Sequence, residues 1–144
     1  MAIDRRFLTG ENIDFFKNGV GDASILYVED KPSSRKLLNR FVFEKYGITI
    51  HAVSTAREGM ELLKVMDFKL VFVDIMLPDI SGILALNEFR CLNKNVYAKY
   101  IAISAEAHPE QIELALASGF DEYITKPIDF KLISDSIDST LTHR

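Results

Sequence analysis

Along most of the chain, short runs rich in β-branched and aromatic residues alternate with stretches whose apolar residues recur every three or four positions. Strands and amphipathic helices leave these two patterns respectively. The first run, Ile25-Leu26-Tyr27-Val28, ends in Glu29-Asp30. Pro32 then suits a first helical turn, and Leu37, Leu38, Phe41, Val42 and Tyr46 keep helical spacing up to Gly47. Residues 48–53 read as a second strand, and Thr55 can cap a helix with Ala56, Met60, Leu63 and Met66 on its apolar side. Leu70-Val71-Phe72-Val73 forms the third strand and reads as buried on both faces, as in parallel sheets. It meets Asp74 where it should end, and Pro78 cannot continue a ladder.

Ser81 or Gly82 opens the third helix, which carries Ile83, Leu86 and Phe89. The fourth strand, 100–103, ends in Ser104. Pro109 begins a helix with Ile112, Leu114, Ala115 and Leu116, and Gly119 stops it. Residues 122–125 form the fifth strand, followed by Lys126-Pro127. Asp129 or Phe130 starts a last helix with Leu132, Ile133, Ile137 and Leu141. Strand and helix alternating five times imply an α/β fold: a doubly wound, flavodoxin-like parallel sheet of five strands with five flanking helices. The order 2-1-3-4-5 places the first and third strands at the topological switch point.

Residues 1–22 differ. Ile3, Phe7 and Leu8, then Ile13, Phe16 and Val20, have helix-like spacing broken by Thr9-Gly10 and closed by Asn18-Gly19 and Gly21. They read as an extension or linker with one short amphipathic helix at about 11–18, ahead of a domain at 23–144. A linker resting on the domain and a dimerisation or docking arm both fit.

Composition narrows function by exclusion. A net charge of −4 and a pI near 5.4 offer no basic stripe for nucleic acid. Cys91 is the single cysteine, so neither an internal disulfide nor a thiolate metal cage can form, and it reads as a half-buried hydrophobe late in a helix. No apolar run is long enough to span a bilayer, and the start lacks the apolar core of a secretory signal. The expected location is cytoplasmic.

Ligands of open parallel sheets bind outside the carboxyl ends of the strands. Four of the five strand ends carry polar groups: Glu29-Asp30, Asp74, Ser104 and Lys126. Glu29-Asp30 also suits a helix cap. Three crowded carboxylates repel one another unless a cation or proton relieves them, and a hard divalent ion does so best. His51, His108 and His143 do not fall at these ends, so a zinc site is not indicated. Mg²⁺, an ammonium and a hydroxyl around a carboxylate suit phosphoryl transfer, with Asp74 as nucleophile.

Leu26-Tyr27-Val28-Glu29-Asp30, Val73-Asp74-Ile75-Met76-Leu77-Pro78 with Gly82 following, Ser104-Ala105 and Tyr123-Ile124-Thr125-Lys126-Pro127 together resemble a response-regulator receiver domain of two-component signalling, over about residues 23 to 142. The resemblance implies that Asp74 accepts a phosphoryl group from the phosphohistidine of a histidine kinase or histidine phosphotransfer protein. It implies Mg²⁺ (or Mn²⁺) held by Glu29, Asp30, Asp74 and the backbone carbonyl of Met76. Lys126 would pair with phosphoryl oxygens, and its bond to Pro127 would be cis. Ser104 would swing toward the phosphoryl group, and Tyr123 would be the switch aromatic that turns inward. The face made by the fourth helix, fifth strand and fifth helix, near 112–119 and Tyr123, would then carry the signal to a protein target. Met76 and Glu106 stand where the family modulates acyl-phosphate hydrolysis; apolar Met76 is not expected to activate water, whereas Glu106 is a candidate. The acidic pair is Glu-Asp where many members have Asp-Asp.

A stand-alone receiver leads. The receiver portion of a hybrid sensor histidine kinase is the alternative, and a homodimer remains open. A flavodoxin-like nucleotide or flavin module would need a glycine-rich turn where Glu29-Asp30-Lys31-Pro32 stands. A metal-dependent phosphatase would need a cap over a deep pocket, which this short chain does not obviously supply.

Overall fold

The computed structural model describes residues 24–141. The expected extension helix at about 11–18, and His143, lie outside them. Within this range β1 (Ser24–Val28), β2 (His51–Val53), β3 (Phe68–Asp74), β4 (Lys99–Ser104) and β5 (Glu122–Thr125) alternate with α1 (Pro32–Tyr46), α2 (Ala56–Val65), α3 (Gly82–Leu92), α4 (Pro109–Ser118) and α5 (Phe130–Leu141). The strands form one sheet in the order β2-β1-β3-β4-β5, every pair parallel.

Strand alternation sorts the core into two layers. Leu26, Val28, Val71, Val73 and Ala102 point to one face, against Leu62 and Leu63 of α2 and Ala85, Leu86 and Phe89 of α3. Ile25, Tyr27, Leu70, Phe72, Ile101 and Ile103 point to the other, against Leu38 and Val42 of α1 and Ile133, Ile137 and Leu141 of α5. Each large side chain buried in this way stabilises the fold by about 1.5–3 kcal/mol. β3, central and covered on both faces, is buried from Leu70 to Asp74, as its continuous apolar run requires.

Local signals act where expected. Pro32 and Pro109 open their helices, and Thr55 Oγ1 accepts from Glu58 N–H at the start of α2. Gly47 and Gly119 end theirs with φ of 71° and 119°, a region that L side chains rarely adopt.

Some expectations need correction. β2 spans only three residues rather than 48–53, because the Asn39 side chain takes the N–H of Ile50 at 3.1 Å; Ile48 and Ile50 are buried without joining the ladder. β3 begins two residues early, with Phe68 N–H held by Asn93 Oδ1. Leu37 is exposed because Leu38 and Val42, one turn apart, define the inner stripe of α1. Leu114 and Leu116 of α4 and Leu132 of α5 are also exposed; α4 buries only Ala115. Met66 packs against the core but caps α2 rather than lying in it. Cys91 is exposed, not half-buried.

Candidate metal and phosphoacceptor site

The carboxyl edge of the sheet gathers most of the expected groups. β1 ends at Val28, and Glu29 continues it with its N–H bonded to Val53 O of β2 at 2.9 Å. The Glu29 side chain is completely buried. It does not cap α1: the capping position is Lys31, whose side chain makes no such bond. β3 delivers Asp74, which is 5% exposed, while Asp30 stands open to solvent. One carboxylate oxygen from each of Glu29, Asp30 and Asp74 lies within 4.8 Å of the others.

Lys126 follows β5 and reaches back across the sheet edge. Its Nζ donates to Glu29 Oε1 at 2.5 Å and to Asp74 Oδ2 at 2.9 Å. Burial alone would lower its pKa, but the bonds to Glu29 and Asp74 outweigh this and the pKa is raised. Lys126 N–H bonds to Ser104 O at 2.9 Å, and the Lys126–Pro127 peptide is cis, as the resemblance implied. The other Asp74 oxygen, Oδ1, accepts from Met76 N–H at 2.9 Å.

A cleft of about 460 Å³ opens beside this cluster, lined by Asp30, Met76, Leu77, Ser81, Glu106 and Gln111 among others. Met76 thus stands at its wall with an exposed side chain. Ser104 is fully buried, and its Oγ accepts from Glu106 N–H at 3.2 Å. The Tyr123 hydroxyl donates to Glu106 O at 2.7 Å, and burial raises its pKa, so the phenol is a neutral donor. The Glu106 carboxylate lies 3.3 Å from His108 Nε2.

The donors fit a hard divalent cation. Three carboxylates converge without a histidine or cysteine, and exposed Asp30 keeps one side open to water. Repulsion among three carboxylates with a single lysine leaves negative charge in excess, which a cation neutralises.

Sequence reasoning missed several contributors. Tyr27 OH lies 3.4 Å from Glu29 Oε1, and its burial, with Glu29 and Asp74 nearby, raises its pKa steeply. A usable signal existed, since residues two apart on a strand share a face. Arg35 donates to Glu29 O at 2.7 Å, and Asp79 bonds the start of α2; neither has a signature in the sequence. The motif glycine Gly82 has its reason in the fold: a Cβ there would meet Asp74 O at 2.5 Å.

A parallel 2-1-3-4-5 sheet with an acidic cluster and a lysine at its carboxyl edge defines a receiver-type domain. The chain belongs to the response regulator receiver domain family, whose model matches residues 25–138. It is 37% identical over 105 residues to an uncharacterised 14.6 kDa protein of Leptolyngbya boryana, covering 73% of this chain and 79% of that one. It is 34% identical to the probable C4-dicarboxylate response regulator DctR of Bacillus subtilis, covering 75% of this chain. To the signal transduction histidine-protein kinase BarA of Escherichia coli it is 29% identical, covering 74% of this chain. The chain spans 46% of the DctR length and 11% of the BarA length.

Among solved structures, the Ssk1 receiver of Saccharomyces cerevisiae, co-crystallised with the histidine phosphotransfer protein Ypd1, superposes with a TM-score of 0.74. The two are 25% identical, with 83% of this chain and 89% of that chain covered. The receiver of the sensor histidine kinase PA1611 of Pseudomonas aeruginosa, with magnesium in its active-site cleft, gives 0.73 at 21% identity, covering 83% and 98%. No helix among the described residues is long and apolar enough to cross a membrane.

Proposed function

We propose that this chain accepts a phosphoryl group on Asp74 from a phosphohistidine of a partner protein and relays the event through the α4-β5-α5 face. The observation that carries this reading is the carboxylate trio of Glu29, Asp30 and Asp74 with Lys126 bonded to the phosphoacceptor. An Asp74 carboxylate oxygen attacks phosphorus, a P–O bond forms, the P–N bond to imidazole breaks, and the released imidazole takes up a proton from solvent. Glu29, Asp30, Asp74 and the Met76 carbonyl would hold Mg²⁺, which would supply charge neutralisation on the phosphoryl oxygens. Lys126 supplies a fixed ammonium beside the acceptor, already aimed at Asp74 before any donor arrives.

The phosphoryl group brings about two negative charges and strong acceptors to this edge. Ser104 exchanges its bond to Glu106 N–H for one to phosphoryl oxygen, and Tyr123, whose ring already packs against the core and whose hydroxyl is on Glu106 O, follows the Ser104–Glu106 segment rather than turning in from solvent. The groove beside Tyr123 is lined by Ile112, Leu116, Leu132, Asp135 and Ser136 and measures about 410 Å³. The exposure of Leu116 and Leu132 in that groove supports a protein target there. The Ypd1–Ssk1 complex supports a histidine phosphotransfer protein as donor. The family match from residue 25 supports a receiver at 23–144 preceded by a separate extension. The likeness to BarA favours a second reading, a receiver within a hybrid kinase, which the reading frame upstream of the gene segment distinguishes.

Intact-mass measurement after incubation with Mg²⁺ and acetyl phosphate tests the proposal. One phosphoryl adduct is expected, lost without Mg²⁺ and in Asp74→Ala. An adduct that persists in Asp74→Ala overturns the assignment of the acceptor.

A further inference from the structure

Asp79 lies in the β3–α3 loop, residues 75–81, five positions after Asp74, yet its side chain serves a different element. Oδ1 accepts from Ala56 N–H and Oδ2 from Arg57 N–H, both at 3.0 Å. These are the first two N–H groups of α2, which no residue of the helix can satisfy. The next, Glu58 N–H, goes to Thr55 Oγ1, and Glu58 Oε1 returns to Ser54 N–H, each at 3.1 Å. The start of α2 is therefore capped twice, once from its own turn and once from the phosphoacceptor loop.

The same turn reaches the other acidic segment. Val53 O, immediately before Ser54, accepts from Glu29 N–H at 2.9 Å. A continuous path thus runs from Glu29 through Val53 and the α2 start to Asp79, and along the loop to Asp74. The loop is pinned at its far end as well, by Gly82 N–H on Ile75 O at 2.8 Å. The β1–β3 ladder joins the two sides up to Val28 and Val73, and beyond it the Asp79 side chain ties the loop to the α2 start among the described residues.

We infer that Asp79 is a positioning residue: the β1–β3 pairing of Val28 with Val73 places Asp74 beside Glu29, and Asp79 places the loop that follows, Met76 included, by clamping it to the start of α2. The inference rests on the proposed metal and phosphoacceptor role of those residues. A clamp on ligand spacing acts on cation affinity first. Phosphoryl uptake at saturating Mg²⁺ depends on Asp74 and Lys126, which Asp79 does not touch.

The test is calorimetric titration of the full chain with MgCl₂, paired with acetyl phosphate uptake across Mg²⁺ concentrations. Asp79→Ala is expected to weaken Mg²⁺ binding about tenfold, the lower end of the effect of outer-shell partners of metal ligands. Its uptake rate should recover to within about twofold of wild type at saturating Mg²⁺, on the argument that the reacting groups are intact. Asp79→Asn, with one acceptor oxygen, should fall between. Thr55→Ala removes a cap from the same helix without touching the loop, and should lower the melting temperature while leaving Mg²⁺ affinity unchanged.

Wild-type affinity in Asp79→Ala overturns the clamp, as does an equal loss in Thr55→Ala, which would assign the effect to helix fraying. Failure of the wild type itself to bind Mg²⁺ or take up phosphoryl is seen before any variant is compared, and overturns the reading beneath it.

Discussion

Glu29 and Lys126, 97 positions apart, form an ion pair in which the carboxylate is wholly buried and the ammonium side chain is 17% exposed. Lys126 also holds Asp74, so one cation offsets two carboxylates at the sheet edge. Lys126→Met leaves Glu29 buried without its cation, and the expected loss is about 3 kcal/mol, the lower end for breaking a buried pair. Saturating Mg²⁺ should recover more melting temperature in this variant than in wild type. The folded pKa of Lys126 is raised, so its contribution is complete below the unfolded value of 10.5 and is lost as pH rises through the folded value. Denaturation midpoints at pH 8 to 12 should show that decline in wild type and a shallower one in Lys126→Met.

Gly82 marks where α3 touches the end of β3. A Cβ at this position would lie 2.5 Å from Asp74 O and 3.0 Å from the Ile75 Cα, both backbone atoms with little room to yield. Gly82→Ala is expected to cost about 1–3 kcal/mol as overpacking and to weaken Mg²⁺ binding by displacing Asp74. Urea denaturation and metal titration on one sample check both effects.

Asn93 binds the opposite end of the sheet. Its Oδ1 accepts from Phe68 N–H, and its Nδ2 donates to Phe68 O at 2.9 Å and to the Tyr100 hydroxyl at 3.0 Å, all in a buried setting. Asn93→Ala strands these backbone groups, and a loss of about 2–4 kcal/mol follows from orphaned buried partners. Phosphoryl uptake below the melting transition should remain within about twofold of wild type, because the site lies at the other end of the strands.

His51 opens β2 and meets the Phe68 ring edge-on, with centroids 5.7 Å apart. Burial lowers its pKa from the ordinary 6.5. The neutral form is favoured in the folded state, so its contribution is present above 6.5 and is lost as pH falls through the lower folded value. Stability measured from pH 8 to pH 5 should decline more steeply in wild type than in His51→Gln. Parallel slopes would sink this assignment.

Glu106 touches the site through its backbone, bonded to Ser104 and Tyr123, while its carboxylate lies by His108. If that carboxylate aids hydrolysis, Glu106→Ala should lengthen the life of the aspartyl phosphate several-fold, within the usual reach of general base catalysis. Timed intact-mass spectra after removal of donor give the rate.

Much of this architecture is written locally. The continuous apolar run Leu70-Val71-Phe72-Val73, prolines at the first turns of α1 and α4, Thr55 before α2 and glycines after α1 and α4 each act within a few residues. Such signals survive in a linear sequence because their physics is local. The polar strand ends Glu29-Asp30, Asp74, Ser104 and Lys126 were legible for the same reason. Boundaries were less so: β2 lost 48–50 to a side-chain bond from Asn39 on α1, eleven residues earlier than Ile50.

The sequence alone therefore determined the order of elements and the groups brought to the carboxyl edge. The tertiary structure decided how those groups pair. Lys126 selects Glu29 and Asp74 together, and Asp79 caps a helix that begins 23 positions before it. These partners are chosen by distance in the folded chain, where a buried donor or acceptor must find a mate or incur the full cost of desolvation. Neither composition nor spacing records which mate it finds.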